Sequence, residues 1–134
     1  MRIVFKINDM KITKPTESEL EILKILWDQG DSTVRQVHEL FAENKEVGYT
    51  TTLKLMQIMH AKGLVERNET SKTHIYRPLV SRDKTEKQVL GKLIKDMFDG
   101  SAARMVMQAL GSHQASNTEI EEIRQLLHDL ENKK

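Results

Sequence analysis

Four residues in the stretch GYTTTLKLMQIMHAKGLVER, which runs from Gly48 to Arg67, have the types and spacing to bind nucleic acid: Thr50, Thr51, Lys54 and Gln57. On a helix turning about 100° per residue, Thr52, Leu55, Met56, Met59 and Lys62 fall on one side. Thr50, Lys54, Gln57 and Ala61 fall on the other, a face that is small, polar and cationic and carries no carboxylate. Such a face suits the major groove of DNA. Hydroxyls and free N–H groups at a helix start bind phosphate. A lysine meets phosphate or guanine, and a glutamine pairs with adenine. Lys72 and His74, further along the chain, stand where a subsequent hairpin would reach the backbone or the minor groove. Leu53 and Ile58 flank the polar face and have no role in this picture. An ordinary solvated face is the competing reading, and the elements on either side of this helix decide between them.

Two helices precede it. Thr16 and Glu19 have capping-box spacing, in which hydroxyl and carboxylate satisfy free backbone N–H groups reciprocally. Leu20, Leu23, Ile25, Leu26 and Trp27 come next, and Gln29-Gly30 ends the segment. Ser32 or Thr33 caps a second helix, with Gln36 at the capping-box position and Val34, Val37, Leu40 and Phe41 as its stripe. NKEVG is a loop, and the quoted helix stops at Gly63. The segment after it, LVERNETSKTHIYRPL, reads as two short strands around a polar tip. Three helices and a hairpin in this order make a winged helix-turn-helix. Ser81 or Asp83 starts a fourth helix lined by Leu90, Leu93, Ile94, Met97 and Phe98. A short fifth helix carries Met105, Val106, Ala109 and Leu110, and a last one, capped by Thr118 or Asn117, carries Ile120, Ile123, Leu127 and Leu130.

The expected fold is mainly α with a small β-hairpin wing. Residues 1–80 form the winged-helix domain, with 1–14 as an arm, and residues 81–134 form three further helices. Three small amphipathic helices rarely bury enough surface alone. Pairing with the same helices of a second chain is the favoured reading, through Leu93, Met97, Phe98, Met105, Ile120, Ile123, Leu127 and Leu130.

The totals narrow the classes. With 134 residues and few aromatics, the core is built from Leu, Ile, Val and Met. The formal net charge of +1 means that any basic surface is local. From Lys45 to Arg77 the cations are Lys45, Lys54, Lys62, Arg67, Lys72 and Arg77, against Glu46, Glu66 and Glu69. No cysteine is present, so disulfides and thiolate metal sites are excluded, and a cytoplasmic protein is expected. The first residues do not read as a signal peptide, and no stretch approaches the ~20 apolar residues of a membrane helix. His38, His60, His74, His113 and His128 show no HExxH or comparable spacing, and there is no glycine-rich phosphate loop. No enzyme activity, metal or cofactor is expected.

TESELEILKILW, GYTTTLKLMQIMHAKGLVER, HIYRPLVSRDK, FDGS and IEEIRQLLHDL together resemble the BlaI/MecI penicillinase-repressor family, which includes the CopY copper repressors. The resemblance covers nearly everything from Thr16 onward. It implies a homodimeric winged-helix repressor on a palindromic double-stranded operator, controlled by a membrane-anchored metalloprotease sensor. In the β-lactam branch induction ends with cleavage of the C-terminal region at an Asn-Phe bond. Here Gln108-Ala109 stands at that place. The copper branch carries a cysteine cluster that this chain lacks, and other members often carry basic residues at the positions of Leu53 and Ile58. A winged-helix regulator controlled by a small ligand, and a protein-contact module without DNA, are the alternatives.

Overall fold

The computed structural model of the chain describes residues 14–133. The expected arm at 1–14 lies outside the described residues, Lys14 excepted. The elements are α1 (Glu17–Gln29), β1 (Ser32–Thr33), α2 (Val34–Phe41), α3 (Tyr49–Lys62), β2 (Val65–Asn68), β3 (Ile75–Pro78), α4 (Arg82–Met97), α5 (Ala102–Ser112) and α6 (Asn117–Glu131). They fall into two compact units divided between Val89 and Leu90, inside α4.

The first unit is a winged helix-turn-helix. Thr16 caps α1 with both capping-box bonds in place. Its Oγ1 accepts the Glu19 amide at 3.2 Å, and its own amide donates to Glu19 Oε1 at 2.9 Å. The same carboxylate oxygen accepts from Lys62 Nζ at 2.6 Å, and Glu19 is 2% exposed. A carboxylate this deep needs a cation, because desolvation of a lone buried charge costs several kcal/mol. The pair therefore ties the start of α1 to the end of α3. Thr33 and Gln36 repeat the capping box on α2, at 3.1 and 2.8 Å.

Helix α3 ends in a left-handed turn at Gly63, whose φ of 83° suits a residue without Cβ. The Gly63 amide donates to the His60 carbonyl and the Leu64 amide to the Met59 carbonyl, both inside about 3.1 Å. This closure turns the chain directly into β2. The sheet is antiparallel with order β1-β3-β2. Arg67 and Ser32 both lie opposite Tyr76, on either side of the middle strand. The hairpin was expected and β1 was not. A two-residue strand carries no readable alternation, and it is set only by pairing with β3.

The core joins Ile22, Leu23 and Leu26 of α1 with Val34, Val37 and Phe41 of α2, Met56 and Met59 of α3, and Leu64, Val65 and Tyr76 of the wing. Ile22, absent from the expected stripe, is the centre of the buried α1 face; Ile25 and Trp27 lie at its half-buried edge. Trp27 Nε1 donates to the Val80 carbonyl at 3.1 Å, and the Arg82 guanidinium lies 5.7 Å from the Trp27 ring centroid. The chain leaving the wing is thereby fixed to the end of α1. Ser81 Oγ then accepts the Lys84 amide and starts α4.

The second unit contains the end of α4 with α5 and α6. Asp99 and Gly100 both take positive φ, 53° and 84°, and the Gly100 amide closes on the Ile94 carbonyl at 2.9 Å. Ser101 caps α5. Ser116, not Asn117 or Thr118, caps α6, with Glu119 completing its capping box. Among the described residues from 90 onward none is buried, and the element pairs that pack closely all belong to the first unit. No helix of the described residues is long and apolar enough to cross a membrane.

Candidate nucleic-acid interface

The residues singled out on the third helix divide between two neighbouring surfaces. Thr50, Thr51 and Lys54 are exposed along the outer side of α3. Gln57 instead lines a groove of about 600 Å³ between α3 and the wing, together with Lys72 and His74. The fold thus brings Gln57, Lys72 and His74 into one wall, with Thr50, Thr51 and Lys54 beside it.

The groove also takes in Arg35, Tyr49, Leu53 and Arg67, and no carboxylate lines it. The basic character here is narrower than the charge count along the chain implied. Lys45 is paired with Glu21 at 2.5 Å, Lys62 with Glu19, Arg67 with Glu69, and Arg77 with Glu66 across the β2–β3 ladder at 2.6 Å. Among the described residues Lys54, Lys72 and Arg35 have no carboxylate partner. Around the groove, the cations without a carboxylate partner therefore lie on α3, the wing tip and the start of α2.

Arg35 and Tyr49 were not singled out from the sequence. The Arg35 guanidinium lies 4.7 Å from the Tyr49 ring centroid. Tyr49 meets the His38 ring edge-on at 5.6 Å, and His38 Nδ1 is 2.8 Å from Thr52 Oγ1. Thr52 is fully buried, so its hydroxyl needs this partner. The chain Arg35–Tyr49–His38–Thr52 fixes the first turns of α3 against α2. The one available signal was the placement of Arg35 between the inward-facing Val34 and Val37. Leu53 is half-buried, packs against the core and forms part of the groove wall, which gives it a role. Ile58 stays 40% exposed.

At the wing, Arg67 reaches both Glu69 and, at 3.5 Å, the Tyr76 hydroxyl. The hydrogen bond from Arg67 holds the Glu69 carboxyl below the ordinary carboxylate range, and the same bond raises the Arg67 guanidinium. The turn is stiffened by Thr70, whose amide donates to Asn68 Oδ1 at 2.9 Å, and by Ser71 Oγ donating to the Thr73 carbonyl.

The residues assigned to self-association all lie in the second unit. Phe98, Met105, Ile120 and Ile123 are half-buried, whereas Leu93, Met97, Leu127 and Leu130 are exposed, Met97 to 65%. Leu90, Val106, Met107, Leu110 and Leu126 are also exposed and enlarge this apolar surface. Gln108 and Ala109 are exposed within α5, where their carbonyls accept from Ser112 Oγ and the His113 amide.

A family model described as "Penicillinase repressor" matches residues 15–129, which takes in both units. The chain belongs to the penicillinase repressor family. Within that family it is 20% identical over 116 residues to the penicillinase repressor of Staphylococcus aureus, covering 87% of this chain and 92% of that one. It is 32% identical over 74 residues to the transcriptional regulator BlaI of Mycobacterium tuberculosis. That match covers 54% of each chain, so this chain spans about half the length of that regulator. The fold is similar to a crystal structure described as a "possible transcriptional regulatory protein (fragment 1-100)" from Mycobacterium bovis. The TM-score is 0.50 at 19% identity, over 71% of this chain and 96% of that one.

Proposed function

We propose that the chain is a homodimeric, sequence-specific transcriptional repressor that places α3 in the major groove of a palindromic operator. The observation carrying this reading is the carboxylate-free groove between α3 and the wing, with Lys54, Lys72 and the Tyr49-stacked Arg35 around it without carboxylate partners. Thr50, Thr51 and the first amides of α3 meet phosphate. Lys54 and Gln57 meet base edges, and Lys72 and His74 hold the wing to the backbone. The apolar faces of α4, α5 and α6 pair with those of a second copy, so that two half-sites are read about one helical turn or its multiples apart. Bound at a promoter in the cytoplasm, the dimer blocks polymerase.

Separating the C-terminal helices abolishes the two-site avidity and frees the DNA. Cutting at Gln108–Ala109 under a membrane-anchored metalloprotease sensor is the finer part of the same proposal. It requires α5 to open locally, since both carbonyls there are engaged.

The test is fluorescence anisotropy on duplexes selected from a randomised pool. Lys54→Ala and Gln57→Ala are each expected to cost about 1–3 kcal/mol of binding while the thermal midpoint stays unchanged. Unchanged affinity in both variants sinks the assignment of α3.

A further inference from the structure

Ile58 is the large aliphatic side chain of α3 that the core does not use. Leu53 and Leu55 pack against the core from its flanks, and Met56 and Met59 are inside it. Tyr49, the other exposed large hydrophobic side chain of α3, is held by Arg35 and His38. Ile58 stands 40% exposed with no such attachment, one turn after Lys54 and one turn before the exposed Ala61. A branched aliphatic standing in water on a polar, cationic face gains hydrophobic free energy when something apolar covers it.

The ligand of this face, on the reading above, is the major groove. That groove has one apolar feature among its base edges, the C5-methyl group of thymine. We propose that Ile58, with Ala61 beside it, is a specificity-determining residue that reads thymine methyl groups in each half-site. The proposal rests on the DNA-binding reading and adds a base preference to it. Lys54 and Gln57 supply hydrogen bonds to purine edges, and Ile58 supplies the apolar contact that distinguishes thymine from cytosine on the neighbouring step. A chain reading in this way has little need of a basic side chain at this position.

The experiment uses the full-length chain and the duplex recovered by selection, synthesised once with thymidine and once with deoxyuridine throughout. Deoxyuridine keeps every hydrogen-bonding group and removes only the methyl. Wild type is expected to bind the deoxyuridine duplex about fourfold more weakly per methyl contacted, the equivalent of burying one methyl-sized group. Ile58→Ala is expected to lose most of the preference, keeping only what Ala61 supplies, and Ile58→Val to retain it. As an exposed position, Ile58 tolerates alanine without unfolding, and the wild-type pair of duplexes decides the matter even without it. Equal binding of the two duplexes by wild type overturns the inference while leaving the DNA-binding reading standing. The same deoxyuridine penalty in wild type and Ile58→Ala also overturns it, because the methyl is then felt through DNA shape or through Leu53. If no duplex is enriched in the selection, the DNA-binding reading fails and the inference with it.

Discussion

The two units of this chain use similar apolar residues to different ends. In the first, leucine, isoleucine, valine and methionine are drawn from three helices and a sheet, and eleven of its apolar residues, Tyr76 included, are buried in one core. In the second, the helices are well capped and carry regular apolar stripes, yet no described residue is buried. The difference is not one of local propensity. Ser116 caps its helix with the same capping box as Thr16 and Thr33, and Ser101 Oγ accepts the Arg104 amide. It lies in the contacts that cross between elements. The first unit has a sheet and the Glu19–Lys62 and His38–Thr52 contacts to bring distant segments together. Polar contacts of the second unit such as Lys92–Asp96, Arg104–Asp99 and Arg124–Glu121 join near neighbours in the chain. Helices capped in this way but with no buried residue leave many of their apolar side chains exposed.

The contrast is sharpest when the two units are separated. Removing everything after Val89 is expected to leave a folded monomer whose operator affinity falls by roughly 10²–10⁴-fold, the loss of linked half-sites. Analytical ultracentrifugation and anisotropy read both effects, and a truncated chain that still sediments as a dimer breaks the comparison. The cut belongs after Val89 because Thr85, on the first turn of α4, is only 3% exposed.

A smaller effect comes from one leucine in each unit. Leu26→Ala is expected to cost about 2–5 kcal/mol of stability, as for other core leucines, whatever the protein concentration. On the proposed dimer, Leu127→Ala is expected to weaken self-association, giving a thermal midpoint that falls as the protein is diluted. Concentration-independent melting of both variants would erase the distinction.

The smallest effect is at the wing. Arg67 holds the Glu69 carboxyl below its unfolded range, so the pair stabilises the folded wing above that range. The contribution is lost as pH falls through the folded value. Glu69 is exposed and Arg67 half-buried at the wing, so the change is expected to be local, with wing amide signals shifting in NMR spectra on acidification while core signals stay fixed.

Much of this was legible in the chain itself. Capping boxes are written in adjacent residues, so Thr16–Glu19 and Thr33–Gln36 could be read directly. The inward face of α3 came from periodicity. Local spacing does not, however, report which distant residues meet. Arg35 joins the groove because α2 lies against α3, and β1 exists because β3 passes beside it. Four of the cations counted between Lys45 and Arg77 are neutralised by partners, two of which, Glu19 and Glu21, lie in the first helix. A window of sequence counts charges but not their pairing. The half-buried place of Leu53 has the same origin: it faces the wing, and the wing lies beyond the periodicity of any single helix.

One contact gives the molecule an optical property. The chain has a single tryptophan, and its indole N–H is engaged by the Val80 carbonyl at the point where the wing hands over to α4. The emission of Trp27 is therefore a native reporter for that junction. A change that pulls Val80 or Arg82 away from the ring alters its hydrogen bonding and its nearby charge together, and registers as a spectral shift without any added label.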